Sequence, residues 1–282
     1  MRSGRFVVPS EFSVIVMTLT PQRIICLTEE PTEWLYLLGQ SHRIVGISGY
    51  TVRPRRAREE KPRVSAFLSA KIDKILALKP DCAIGFSDLQ ADIAAQLIRA
   101  GVQVHIFNQR SVEEIFAMLY QLAALVGQAD QGLERIAQMR DQVQAVQERA
   151  AGFARRPRVY FEEWDEPHIS AIRWVSELLA VAGGDDVFPE LAVAPMGKDR
   201  IIAHGQTIVD RAPDIIIGSW CGKKFRPEKV AARPGWQGVP AVRDGQLFEI
   251  KSAEILQPGP AALTDGLAQL HRIVAQWAQR HA

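Results

Sequence analysis

Short, almost wholly apolar runs alternate with stretches of helical period along this chain. Arg23–Leu27, Arg43–Ile47, Cys82–Gly85 and Val102–Ile106 read as strands of a covered parallel sheet, the first three nearly continuous in apolar residues. Helical patterns lie between them. One carries Trp34, Leu35, Leu37 and Leu38, with Pro31 near its start and Gly39 at its end. Another ends near Leu78, and a third covers Ala91–Ile98 and stops before Gly101. This alternation predicts a parallel sheet with helices on both faces. Ser111-Val112-Glu113-Glu114 has capping-box character and opens a helix through Leu125. After Gly127 a second helix runs to about Ala151, with Leu133, Ile136, Met139, Val143 and Val146 as its apolar stripe.

The alternation then resumes. Arg158–Trp164 reads as a strand and Trp164–His168 as a loop. A helix with Val175, Leu178, Leu179 and Val181 ends at Gly183-Gly184. Gln246–Ile250 is a late strand, and Pro258-Gly259-Pro260 precedes a last helix with Leu263, Leu267, Leu270 and Ile273. The segment Lys79-Pro80-Asp81-Cys82-Ala83-Ile84-Gly85 returns as Ala212-Pro213-Asp214-Ile215-Ile216-Ile217-Gly218. Each copy follows a helical pattern, forms a short strand and opens into a polar-aromatic loop. One supersecondary unit thus serves both halves. The expected fold is α/β, with two Rossmann-like lobes, each built on a parallel sheet, joined by one long α-helix. The lobes are assigned to residues 21–127 and 153–282, and the linking helix to 128–152. At 1.5 Å per residue, a helix of about 22 residues spans about 33 Å, enough for a strut between lobes. An ordinary surface helix of one domain is the plainer reading.

Composition narrows the function. With 282 residues, 47% hydrophobic and 23% charged, the chain can build substantial cores. A net charge of +2 leaves no broad basic face for nucleic acid, so a small-molecule ligand is expected. The three cysteines, Cys26, Cys82 and Cys221, form no C-x-x-C pair, which argues against a disulfide framework and a zinc knuckle. Cys26 and Cys82 read as buried, inert thiols, and Cys221 falls on a loop at the expected site. No run of about 18 apolar residues is present to span a membrane. The apolar run Phe12–Met17 follows Glu11 and lacks a cleavage site after it, so no signal peptide is recognisable, and Met17 is an alternative start.

Ligand sites in open α/β sheets form at the carboxyl ends of the strands. Thr28-Glu29-Glu30, Ser48–Thr51 and Phe86-Ser87-Asp88 are the loops there in the first lobe. Glu29 and Glu30 sit at a helix N-terminus, where carboxylates suit the dipole and repel phosphate. With no G-x-G-x-x-G or P-loop, a nucleotide is not expected. Simple capping is the plain reading of both glutamates. The run Arg53–Arg63 is a solvated loop or a lid touching an anionic ligand group. Glu162 and Glu163 are adjacent on a strand and point to opposite faces, so they are not expected to form a catalytic pair. Trp164, Trp174 and Trp220 fall at or near the mouth of the second lobe, where rings suit a large flat ligand, or else pack in its core. The six histidines show no metal-ligand spacing, and His168 lies on a loop at the expected site. The candidate ligand-binding residues are Glu30, Tyr50, Phe86, Trp164, His168 and Trp220, with no catalytic residue, resident metal or cofactor assigned.

Several stretches together resemble the helix-linked (class III) substrate-binding proteins of ABC importers, among them vitamin B12-binding and iron-siderophore- or haem-binding members. They are Arg23–Leu27 with Thr32-Glu33, Leu38-Gly39 and Ile44-Val45-Gly46; Lys74–Asp81; Phe161–Pro167; Ala182-Gly183-Gly184 with Val187-Phe188; and Gln257–Pro260 with Asp265-Gly266-Leu267. The resemblance covers residues 21–276, and Phe161-Glu162-Glu163-Trp164 is most similar to cobalamin-binding members. It implies a periplasmic or extracytoplasmic protein, two lobes that close slightly on a ligand, and docking onto an ABC permease through one carboxylate per lobe. Asp73 and Gln206 align with those carboxylates, so the second lobe carries an amide in place of the charge.

The expected function is non-enzymatic capture of a corrinoid (cobalamin-like) ligand between the lobes by a monomer. Iron-siderophore or haem binding is the alternative, as is a cytosolic metal-chelate-handling protein or enzyme on the same scaffold, in which Glu29, Glu30 and Asp165 would bind a metal or move protons.

Overall fold

The computed structural model describes residues 19–282; the run 12–17 and the alternative start at Met17 lie outside them. The chain divides into two compact units: residues up to Gln109 with Ala117–Ile136, and Arg110–Phe116 with Ala137–Ala282.

In the first unit, strands β1 (Ile24–Cys26), β2 (Ile44–Ser48), β3 (Arg63–Ser65), β4 (Cys82–Phe86) and β5 (Gln103–Phe107) form one parallel sheet in the order β3-β2-β1-β4-β5. The central strand β1 is apolar throughout and wholly buried, as a strand covered on both faces must be. Helices α1 (Glu29–Leu37), α2 (Ile72–Ala77) and α3 (Ala91–Arg99) supply the crossovers. Ile25, Leu27, Val64, Ile75, Ala83, Ile93, Leu97 and Val102 close one core cluster between sheet and helices. The run Arg53–Arg63 holds more order than a loop: Ala57–Glu60 forms a helical turn and Arg63 opens β3.

Helices α4 (Val112–Leu125) and α5 (Ala129–Ala150) carry the chain onward, and the division between the units falls within α5, after Ile136. The expected capping box forms at α4: the Ser111 N–H donates to Glu114 Oε2 at 2.9 Å and the Glu114 N–H to Ser111 Oγ at 3.2 Å. Along α5 Ile136, Met139 and Val146 are buried, but Leu133 is half exposed. No helix among the described residues is long and apolar enough to cross a membrane.

The second unit contains β6 (Arg158–Asp165), β7 (His168–Ser170), β8 (Asp185–Asp186), β9 (Ile215–Gly218) and β10 (Leu247–Glu249). Their order is β10-β9-β6-β7, with β8 also paired to β6. All pairings are parallel except β6–β7. The segment Trp164–His168, expected as a loop, is instead the closed end of this hairpin: β6 runs on to Asp165 because β7 returns along its edge. Helices α6 (Arg173–Ala182), α7 (Gly205–Asp210) and α8 (Leu267–Arg280) complete the layers. Gly183, at φ 95°, ends α6 in the left-handed conformation that glycine adopts at low cost.

The internal repeat proves to be a clamp at the amino ends of the strands. Lys79 and Ala212, the residues before the two prolines, take positive φ values of 48° and 43°. Proline disfavours a right-handed helical conformation in the preceding residue, so the chain leaves α2 and α7 abruptly. The aspartate after each proline then ties the turn to the neighbouring central strand. The Asp81 carboxylate accepts from the Gln22 and Arg23 N–H groups at 2.7 and 3.0 Å. The Asp214 carboxylate accepts from the Arg158 N–H at 2.9 Å. In both copies the aspartate N–H returns a bond to the same strand, to Arg23 O at 3.1 Å and Arg158 O at 2.8 Å.

Candidate functional site

The carboxyl ends of the strands lie opposite these clamps, and each unit's loops there are built differently. In the second unit a single carboxylate gathers them. Glu162, near the end of β6, has no exposed side-chain surface. Its oxygens accept from both terminal nitrogens of Arg233 at 2.7 and 2.9 Å and from the Trp220 indole N–H at 3.0 Å. His168 Nδ1, on β7, lies 3.4 Å from Glu162 Oε2. Burial alone would raise the Glu162 pKa, but the contacts to His168 and Arg233 outweigh it and hold the carboxyl below its ordinary value. Burial pushes the neighbouring Tyr160 phenol well up, with the Glu162 charge adding to the effect.

Rings and cations surround this pair. The Arg233 guanidinium sits 4.6 Å from the Trp236 ring centroid, and the Trp236 and His168 rings are 5.8 Å apart. Trp220 packs edge-on against Phe225 at 5.0 Å. Gly218 makes that packing feasible, since a Cβ there would lie 2.0 Å from Phe225. Lys223 Nζ stands 4.1 Å from the Trp164 centroid and 5.1 Å from that of Trp220, and pairs with Asp165. Glu163, where the β6–β7 register shifts, pairs with Arg200 at 2.7 Å. Every cation in this array has a carboxylate partner. The Glu162 carboxylate, held by Arg233 and Trp220, is poorly placed to move a proton.

In the first unit the notable feature is a pair of buried acids. Glu29 and Glu30 open α1 directly after β1 and are 9% and 3% exposed. Both carboxyls accept from backbone N–H groups of the first turn, as the capping reading expects, but they are buried as well. Thr28, the N-cap, makes no side-chain cap bond, and its hydroxyl donates instead to Glu30 Oε1 at 2.8 Å. Burial pushes Glu29 up to about 7, and burial with the Glu29 charge pushes Glu30 up to about 8. Both carboxyls are therefore largely protonated in mildly acidic solution, as donors as well as acceptors.

The six predicted residues divide by environment. Tyr50, in the loop after β2, is 53% exposed. Trp164 is half-buried, with its indole N–H donating to Glu166 O at 2.8 Å, and the His168 side chain is partly exposed. Glu30, Phe86 and Trp220 are turned inward. Phe86 ends β4, and its N–H donates to the buried Gln90 Oε1 at 3.0 Å. Trp174 is not at the mouth: it is buried in α6, and its indole N–H donates to Ile255 O at 2.9 Å. His168, Trp164 and Trp220 are drawn together around the Glu162 and Asp165 carboxylates. Sequence reasoning missed Glu162 itself, Arg233, Trp236 and Lys223. The pairing of Glu162 with Arg233 leaves no local pattern to find. Cys26 and Cys82 are buried as expected, and burial pushes both thiols up to about 12. Among the described residues no group of three His, Cys, Asp or Glu side chains is placed to hold a metal ion.

Comparison with known proteins accords with this geometry. The model of a family described as periplasmic binding protein matches residues 24–254. The chain is 24% identical over 260 residues to a vitamin B12-binding protein of Vibrio parahaemolyticus, covering 90% of each. Among solved structures it is similar to the periplasmic vitamin B12-binding protein of Vibrio cholerae, with a TM-score of 0.72, 23% identity, and coverage of 92% of this chain and 98% of that one. It is also similar to a periplasmic heme-binding protein of Roseiflexus, with a TM-score of 0.75, 21% identity, and coverage of 90% and 99%. Matched by the family model over most of its length and sharing the two-lobed, helix-linked α/β fold, the chain belongs to the periplasmic binding protein family, whose members bind a ligand and do not transform it.

Proposed function

We propose that this chain, the substrate-binding component of an ABC importer, captures a corrinoid. The observation that carries the reading is the array around Glu162: rings held in place by a buried ion pair, with each nearby cation already neutralised. Trp220, Trp236 and Phe225 are buried and back the accessible edge made by Trp164, His168 and Lys223, and an edge of that kind favours a large, flat, amide-rich chelate through apolar contact and hydrogen bonds. The relatives named as vitamin B12-binding proteins support the same ligand class. In this reading Tyr50 and the half-buried Trp164 touch the ligand, His168 and Glu30 supply polar contacts, and Trp220 and Phe86 back them from below. The permease side rests on the two repeats. Asp73 and Gln206 are both exposed at the second position of α2 and α7. Gln206 Nε2 donates to Asp210 Oδ1 at 2.7 Å, which places a carboxylate beside the amide.

Titration of the purified protein with cyanocobalamin, haem and a ferric siderophore, followed by tryptophan fluorescence, tests the reading. Saturable quenching by cyanocobalamin at the lowest concentration supports it. Tighter quenching by haem or the siderophore moves the assignment to that chelate, and no response to any of them discards it.

A further inference from the structure

An open groove of about 380 Å³ lies beside β3 in the first unit, lined by residues that include Gly49, Arg63, Ser65, Ser69 and Lys71. The alternation of the strand explains its chemistry. Val64 turns into the core and Arg63 the other way, while the buried Ser65 hydroxyl donates to Leu27 O at 3.5 Å. An antiparallel bridge between Ser65 and Ala70 folds the chain back and brings Lys71 to the same groove. Gly49 joins the groove to the loop after β2: its N–H donates to Ser65 O at 2.7 Å, and a Cβ there would lie only 3.2 Å from that oxygen. Its neighbour Tyr50 is the exposed candidate ligand residue of this unit.

The charges are what set the groove apart. Arg63 and Lys71 are exposed, and none of the described residues lining the groove is acidic. Other cations near the strand ends are neutralised: Arg53 by Glu33 at 2.8 Å, Arg233 by Glu162 at 2.7 Å, and Lys223 by Asp165. A concave place with two uncommitted cations and the Ser69 hydroxyl suits an oxyanion, because charge-assisted hydrogen bonds from a guanidinium and an ammonium are the strong ones.

We propose that this groove is an oxyanion subsite. It takes a phosphate or carboxylate group of the ligand between the Arg63 guanidinium and the Lys71 ammonium, with the Ser69 hydroxyl as a further donor. The inference rests on the reading of the chain as a chelate-binding protein, and it gives that ligand an anionic appendage. On a corrinoid the appendage is the phosphodiester of the nucleotide tail; on an iron chelate it is a carboxylate.

The test compares cyanocobalamin with dicyanocobinamide, which has the same ring system but no phosphodiester, on the wild type and on an Arg63→Gln/Lys71→Gln variant. The double variant is expected to bind cyanocobalamin about tenfold more weakly and cobinamide unchanged, the size expected of two charge-assisted contacts partly screened by water. A loss confined to ferric citrate assigns the groove to a carboxylate. Equal losses for cyanocobalamin and cobinamide, or no loss for any of the three chelates, overturn the subsite while leaving chelate binding intact. If no chelate binds at all, the proposed function falls, and inorganic phosphate decides the subsite by itself. Amide NMR shifts at Gly49 and Ser65–Lys71 that saturate in the wild type and vanish in the variant uphold it, and their absence refutes it.

Discussion

Replacing Glu162 by glutamine should destabilise the second unit far more than a loss of one surface charge would. The carboxylate it removes has no exposed surface, holds Arg233 at 2.7 and 2.9 Å, and accepts from Trp220 at 3.0 Å. An amide keeps the volume and one acceptor. Arg233, only 15% exposed, keeps its positive charge with no counter-charge beside it. Breaking a buried pair by removing one partner costs about 3–5 kcal/mol, and the retained acceptor places Glu162→Gln at the lower end. Adding Arg233→Met removes the stranded charge as well. With the stranded charge gone and the amide still accepting from Trp220, the double variant should regain about 2 kcal/mol over the single one. Urea unfolding at pH 7 followed by tryptophan fluorescence measures this, because Trp164, Trp174, Trp220, Trp236 and Trp277, five of the six tryptophans, lie in the second unit. The midpoint should fall with the slope unchanged. A single variant within about 0.5 kcal/mol of wild type, the range of ordinary surface substitutions, would refute the reasoning. So would a double variant no more stable than the single. The pH dependence has a definite sign. A depressed carboxyl contributes stability that is present above its unfolded pKa of about 4.3 and is lost as pH falls through the lower folded value. The glutamine variant should lack that acid limb.

Three further outcomes are expected. Glu29 and Glu30, raised to about 7 and about 8, stay protonated in the fold where the unfolded chain has ionised. Their contribution is thus complete below about 4.3 and is lost as pH rises through 7 to 8; Glu29→Gln/Glu30→Gln should flatten the thermal stability profile from pH 6 to 9, and an unchanged decline in the variant would contradict the assignment. Gly218→Ala would put a Cβ 2.0 Å from Phe225 and should cost about 1–3 kcal/mol in chemical denaturation, relieved in part by adding Phe225→Leu. Lys79→Gly and Ala212→Gly should leave stability unchanged or raise it by up to about 1 kcal/mol, because a side chain in the left-handed region costs more than the chain entropy glycine adds; a clear loss at both sites would argue against the positive φ values.

The parts of this molecule that could be read from residues alone are those where neighbours in sequence do the work. β1 and β9 are apolar on both faces because they are covered on both, and α6 stops at Gly183 because glycine adopts the left-handed turn cheaply. The Pro-Asp clamps announce themselves as a repeat because each places a turn, a helix end and a strand start within a few residues. β3 escaped notice because one exposed and one polar residue flank its single apolar position, and it begins on the last residue of a run that reads as solvated charge. β7 escaped because Trp164–His168 has the composition of a loop, and only pairing with β6 makes it a hairpin. The carboxyl ends of the strands are harder still, for a physical reason. The Glu162 carboxylate is matched by an arginine 71 residues away and by an indole 58 residues away, so no window of sequence holds both halves of the interaction. Glu162 and Glu163 each meet a different arginine, so they form no carboxylate pair. The rule that ligand loops lie at strand ends located Tyr50 and Trp164 on accessible surface but could not tell that Phe86 and Trp220 turn inward. Both have partners outside the strands: the Phe86 N–H donates to Gln90 Oε1, and Trp220 packs edge-on against Phe225. If the proposed site is right, distant polar pairs of this kind could be exchanged one partner at a time while the strands beneath stay as they are. In the proposed reading, specificity is therefore expected to follow paired residues such as Lys223 and Arg233 more closely than the aromatic positions that sequence makes conspicuous.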